Sequence, residues 1–121
     1  MKKKLKTIGA LVLSLSIIFG FSMTAQAASG GVNVNVTKQT LLGTFQYPEA
    51  GHRLTIEIRY LEEDPISHNM RQGSEENSVV GNYTSVSESR NVSEGYEYYY
   101  GAAVGLVDGK QYAVVGPISP S

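Results

Sequence analysis

An all-β fold, a small antiparallel β-sandwich of about six strands, is the expectation from three features of this 121-residue chain. Apolar and polar residues alternate with period two over most of positions 32–115, the mark of strands with one buried face. Turn-forming residues separate the alternating stretches. From Ala28 onward no stretch carries the apolar spacing of three and four that a helix of more than about ten residues needs. A partly closed barrel is the alternative architecture.

The N-terminal segment reads as a secretory signal rather than as part of the fold. Met1-Lys2-Lys3-Lys4-Leu5-Lys6 is a compact basic start, Ile8 to Phe21 is apolar, and Ala25 and Ala27 are the small residues that a signal peptidase inspects. Cleavage is expected after Ala27, giving a signal peptide over 1–27 and a single domain over 28–121. The apolar run has 14 residues, whereas a bilayer span wants about 20, so no membrane span is expected after cleavage. The chain has no cysteine, which excludes attachment through a thioether lipid and leaves a small exported domain without disulfides. Gly116 to Ser121 carries no apolar tail for a second anchor. The lysine-led signal and the missing cysteines resemble a Gram-positive bacterial export product.

Removing the signal takes four lysines and no acidic residue. Six basic and eleven acidic side chains remain, a net charge of −5 against −1 for the whole chain. Such a domain repels phosphates, so nucleic acid and anionic membranes are not expected partners. A secreted or extracellular location leaves a cell-envelope component or an extracellular protein as the expected partner.

Strict alternation predicts strands at Val32 to Val36 and at His52 to Tyr60, the second with Leu54, Ile56, Ile58 and Tyr60 on one face. Leu41 to Tyr47 is a third, with Leu41, Phe45 and Tyr47 together, and Pro48-Glu49-Ala50-Gly51 turns the chain into the next. Val79 to Val92 reads as one or two further strands. Val107-Asp108-Gly109-Lys110 carries the Asp-Gly pair of a two-residue hairpin. With Val107 opposite Lys110, this register places Gly105 against Tyr112, Val104 against Ala113 and Ala103 against Val114. Pro117 is expected to stop the last strand.

The stretch Gly95-Tyr-Glu-Tyr-Tyr-Tyr-Gly101 holds four tyrosines in seven positions. Along an extended strand Tyr96, Tyr98 and Tyr100 align with Ala102, Val104 and Leu106, as a core stripe does. Tyr99 falls on the other face, beside a floor of Gly101, Ala103 and Gly105. Plain sheet packing accounts for most such clusters. A binding face, where there is one, is expected at Tyr99, Tyr112 and Val114.

Glu62 to Asn77 has no periodicity and is expected to be a long solvated loop. Its carboxylates Glu62, Glu63, Asp64, Glu75 and Glu76 are hard ligands of the kind calcium takes, yet the alternate Asp/Asn spacing of an EF-hand is missing. His52 and His68 have no His, Cys or Asp at ligand spacing, so no metal and no cofactor is expected. There is no Gly-x-Ser-x-Gly elbow and no phosphate-binding glycine loop. Glu62 and Glu63 are chain neighbours and would point to opposite faces of a strand, which disfavours a glycosidase pair. No catalytic residue is assigned. The Asn-x-Ser/Thr triplets at Asn35, Asn82 and Asn91 read as turn and strand-face residues in a bacterial product.

In the second half, Ser78-Val79-Val80, the run from Ser89 to Gly105 and Lys110-Gln-Tyr-Ala-Val-Val115 resemble the layout of the lactococcin family of small secreted β-sandwich bacteriocins. Those proteins combine a signal peptide, a cysteine-free mature chain, a Ser-rich strand ending in a glycine turn, an Ala-rich strand and a closing aromatic strand. The resemblance implies a sandwich and an antimicrobial role. The family's opening Gly-Thr-Trp element has no counterpart in Ala28-Ser29-Gly30-Gly31, and no functional residue carries over. The residues themselves point first to a non-enzymatic binding protein acting at or outside the cell envelope. A bacteriocin-like antimicrobial and an extracellular hydrolase or hydrolase inhibitor using the acidic loop are the alternatives.

Overall fold

The computed structural model describes residues 31–121, and the signal peptide and cleavage site expected from the sequence lie outside them. Seven strands follow one another: β1 (Val32–Val36), β2 (Thr40–Gln46), β3 (Arg53–Glu63), β4 (Met70–Val80), β5 (Ser85–Asn91), β6 (Glu97–Val107) and β7 (Lys110–Ile118). They form two antiparallel sheets, three-stranded in the order β1-β2-β5 and four-stranded in the order β4-β3-β6-β7. The sheets pack face to face as a sandwich and do not close into a barrel.

The inner faces follow the alternation. Val32, Val34 and Val36 from β1, Leu41 and Phe45 from β2, and Leu54, Ile56 and Ile58 from β3 are all buried in one inter-sheet core. Asp108 and Gly109 take φ of 53° and 82°, the two left-handed residues of a type I′ turn, and Val107 pairs with Lys110 as expected.

β6 presents the opposite face from the one its tyrosines suggest. Gly101, Ala103 and Gly105 line the inter-sheet core, because the large side chains of the facing sheet need hollows there. A Cβ at Gly105 would come within 2.6 Å of Phe45 Cδ1, and one at Gly101 within 2.6 Å of Leu41 Cδ1. The supposed binding floor is therefore where Phe45 and Leu41 sit. Ala102, Val104 and Val114 form a second buried cluster on the other face of the sheet, flanked by Tyr100 and Leu106.

A bulge at Tyr99 changes the parity of β6. Leu61 pairs with Tyr100 and Glu62 with Tyr98, so Tyr99 is the extra residue that sends Tyr98 inward and Tyr100 outward. On β7, Leu106 pairs with Gln111 but Gly105 pairs with Ala113, which leaves Tyr112 unpaired in a second bulge. The expected pairing of Gly105 with Tyr112 is thus displaced by one residue. Pro117 does not end β7, which runs on to Ile118; it interrupts the ladder locally, because the register shifts between Val115 opposite Ala103 and Ile118 opposite Gly101, an irregularity that an edge strand tolerates.

The long acidic loop is also a strand. β3 continues through Glu62 and Glu63, a turn spans 64–69, and β4 pairs with β3 from Met70 onward. Asp64 organises that turn by accepting from the Ile66 amide at 2.9 Å, while its carbonyl accepts from the His68 amide.

Glu62, expected in solvent, is 1% exposed. Its carboxylate reaches across the sandwich to β5, accepting from Arg90 Nη1 at 2.7 Å, from the Ser93 amide at 2.8 Å and from Ser93 Oγ at 3.1 Å. Arg71 Nη2 closes the set at 3.4 Å. Arg90 also donates to the Tyr98 hydroxyl, pairs with Glu75 and lies 3.9 Å over the Tyr60 ring. A buried carboxylate with all its lone pairs engaged is tolerated, whereas one robbed of a partner is not. Burial would push the Glu62 carboxyl up, but the Ser93 amide and the Arg90 guanidinium outweigh it and hold the group below its ordinary 4.5.

Chemical denaturation tests both the Glu62 network and the close approach of the sheets. Arg90→Met, which strands the Glu62 charge, is expected to lose about 3–5 kcal/mol, and the pair Glu62→Leu/Arg90→Met to regain most of it. Because the Glu62 group is lowered from 4.5, its contribution is present above that value and disappears as the pH falls through the folded value. Acid destabilisation below pH 4.5 should therefore be weaker in the double variant. Gly105→Ala is expected to cost about 1–3 kcal/mol through overpacking against Phe45, and a neutral result would contradict the close approach of the sheets.

Candidate binding site

At the end of the sandwich that holds the β6–β7 turn, the core does not finish in aliphatic side chains. Phe45 lies 5.8 Å from Tyr112, ring centre to ring centre, and Tyr47 stands edge-on to Tyr112 at 5.0 Å and 89°. The bulge at Tyr112 aims its ring toward β2, and Tyr47 continues the parity of Leu41 and Phe45 beyond the end of β2. Tyr112 remains 51% exposed. Beside these rings opens a cleft of about 600 Å³, lined by Gly31, Gln46, Tyr47, Pro48, Thr84, Ser85 and Tyr112. Its walls combine aromatic surface with an amide and two hydroxyls and contain no charged side chain.

His52 supports the aromatic wall from behind, edge-on to Tyr47 at 5.4 Å. Its Nδ1 lies 2.6 Å from Asp108 Oδ2, and its Nε2 lies 3.4 Å from Glu49 Oε1. Asp108 also accepts from the Arg53 amide at 2.9 Å. The arrangement ties the β2–β3 turn to the β6–β7 turn. A histidine oriented by an aspartate is half of an acid–base unit, but here the second ring nitrogen faces a carboxylate instead of a hydroxyl or thiol, so no nucleophile is activated. Burial, with the Glu49 carboxylate nearby, pushes the Tyr47 phenol up, which keeps it a neutral hydroxyl able to donate and accept.

The three residues singled out by sequence do not share a face. Tyr112 is in the cleft. Tyr99 is exposed but lies in the bulge near the opposite end of β6, about 20 Å along the strand from Gly105 at 3.3 Å per residue. Val114 is buried in the second apolar cluster and offers no surface. Sequence reasoning missed Tyr47 as a cleft residue, His52 as its support, and Tyr83, which is 52% exposed in the β4–β5 connection. The partners of His52 are 56 residues away and three residues back, so only the hairpin register could have linked them.

The acidic residues do not converge. Glu62 faces Arg90, Glu63 Oε2 lies 3.0 Å from His68 Nδ1, Asp64 caps its turn and Glu75 pairs with Arg90. Among the described residues no group of three or more His, Cys, Asp or Glu side chains is placed to hold a metal ion.

A second surface adjoins the cleft. Strand parity turns Asn33 and Asn35 of β1, Leu42, Thr44 and Gln46 of β2, and Ser85, Ser87 and Ser89 of β5 outward. A groove of about 440 Å³ along this sheet is bordered by Leu42, Thr44, Gln46, Tyr83, Ser85 and Ser87, with Asn77 and Val79 across from them. Gln46 and Ser85 line both the groove and the aromatic cleft.

The charge state of the His52 tie sets its pH range. The Asp108 hydrogen bond, opposed by partial desolvation and aided by Glu49, lifts the His52 imidazole above 6.5, so its contribution is complete below 6.5 and is lost as the pH rises through the raised folded value. The Arg53 amide and His52 hold the Asp108 carboxyl below 3.8, so that contribution is present above 3.8 and is lost in acid. Thermal stability is expected to decline from pH 6 to pH 8, and His52→Gln to remove that decline. An identical decline in both proteins would show that the tie contributes nothing.

No family model matches the chain, and neither a curated protein nor a solved structure does.

Proposed function

We propose that this protein is a non-enzymatic binding protein that acts at or outside the cell envelope and takes its ligand in the cleft between Tyr47 and Tyr112. The observation that carries this reading is the half-exposed Tyr112 ring, held by a bulge and by its edge-on contact with Tyr47 beside an uncharged cleft. Pockets that bind small ligands join aromatic surface to a few convergent polar groups on a rigid frame. This one rests on two strands and on the His52 tie, so little ordering is left for the ligand to impose. The signal-like N-terminus and the acidic balance of the remaining chain support an extracellular site of action.

The antimicrobial reading stands second. What favours it is the resemblance of the second half of the sequence to the layout of the lactococcin family of small secreted β-sandwich bacteriocins. It requires that the protein alone stop the growth of neighbouring bacteria.

Tyr112→Ala is expected to leave the circular dichroism spectrum intact and to weaken attachment to cell-envelope material at least about tenfold, as truncation of a central aromatic does. Tyr99→Ala, at the far end of β6, should bind as the parent does. Equal binding by the parent and Tyr112→Ala would remove the cleft from consideration. Growth inhibition that survives Tyr112→Ala would promote the antimicrobial reading and detach it from this surface.

A further inference from the structure

The outer face of the three-stranded sheet has no charge. None of the six basic and eleven acidic side chains after the signal segment stands on it. β5 shows the bias most clearly, because its parity is the reverse of an ordinary surface strand. Glu88 and Arg90 point inward to the seam with β4, where Arg90 meets Glu62 and Glu75, while Ser85, Ser87 and Ser89 point outward. Inward charges protect an edge strand from pairing with another chain. That protection does not require the outward positions, or those of β1 and β2 beside them, to be neutral as well.

The pairing makes the face an ordered array. Asn33 lies beside Thr44 and Thr44 beside Ser87, while Gln46 lies beside Ser85. Neighbouring strands are about 4.8 Å apart and like-facing residues about 6.7 Å apart along each strand. The side chains of Asn33, Thr44, Gln46, Ser85, Ser87 and Ser89 make no hydrogen bond among the described residues, so their donors and acceptors are available. Tyr83 and Leu42, 52% and 42% exposed, border the groove and add apolar surface to this polar array.

We infer that this face binds an uncharged polysaccharide chain, which lies in the groove beside Tyr83 and continues over Gln46 and Ser85 into the Tyr47–Tyr112 cleft. A pyranose polymer has the matching chemistry: hydroxyls along its edges, apolar C–H faces, a regular repeat and no charge. Phosphate-bearing ligands would need cations that the face lacks, and a protein partner would find neither an apolar centre nor a charged rim. The inference deepens the cleft reading and rests on it.

The test is retention of the purified protein on insoluble neutral polysaccharides, a β-1,4-glucan, a β-1,3-glucan and chitin, with alginate as the anionic control. Each is run against the parent and against Ser87→Lys, Ser87→Glu and Tyr112→Ala, after thermal unfolding has shown each variant folded. Retention on a neutral polymer, weakened about tenfold by both signs of charge at position 87, is the expected result. Parent retention on alginate above that on every neutral polymer, strengthened further by Ser87→Lys, would show that the ligand is anionic and overturn the inference. Retention that falls with Tyr112→Ala but ignores both Ser87 variants overturns the groove and leaves the cleft standing. Absence of retention on every neutral polymer overturns the saccharide class, while the cleft is judged separately by attachment to envelope material.

Discussion

The carboxylate of Glu62 is a charge enclosed between two sheets, and the way it is satisfied determines how those sheets meet. It sits on β3 of the four-stranded sheet, and its strongest partners, Arg90 and Ser93, belong to β5 of the other sheet and the segment after it. Hydrophobic packing alone lets two sheets slide over one another with little penalty, because apolar burial has no direction. A four-bonded buried carboxylate has one acceptable geometry. It therefore sets the lateral alignment that lets Phe45 and Leu41 descend onto Gly105 and Gly101. Those contacts in turn require β6 to turn its small residues inward, which the bulge at Tyr99 accomplishes.

The same seam shapes the exterior. Charges on β5 and β4 that would otherwise face water are drawn inward to Glu62, Arg90 and Glu75, with Asn77 donating to the Ser87 carbonyl at 2.9 Å. What remains outside the three-stranded sheet is hydroxyl and amide, with the half-exposed Leu42 among them. At the opposite end the sandwich finishes in rings rather than charges, and His52 fastens the two turns there. The uncharged face and the aromatic cleft are thus consequences of where the fold spends its charged residues. They meet at Gln46 and Ser85.

Strands with one dry and one wet face were legible in the sequence. β1 matches Val32 to Val36, β3 contains the run expected from His52 to Tyr60 apart from its first residue, and Asp108-Gly109 marks its turn by its own backbone preference. β4 was not legible, because an edge strand exposed along most of its length has no alternation to display. The orientation of β6 was inverted because a bulge changes strand parity without changing composition. The better clue was size: Gly101 and Gly105 are the residues that fit beneath Leu41 and Phe45, and Ala103 fits against Gly43. Of the expected binding residues, Tyr112 reaches a cleft, Tyr99 lies far from it and Val114 is buried. The Glu62–Arg90 pair spans 28 residues, and no local pattern announces it.

Capture of a neutral saccharide by the polar face and the cleft is tested by a backbone amide NMR titration of the protein with a soluble neutral oligosaccharide of the polymer class that retains it. Binding along the polar face into the cleft predicts the largest shifts in a continuous run from Tyr112 and Tyr47 through Gln46 and Ser85 to Ser87, with β4 and the Glu62 seam unmoved. Shifts centred on the acidic residues of β3 and β4, or on Tyr99 at the far end of β6, would contradict it.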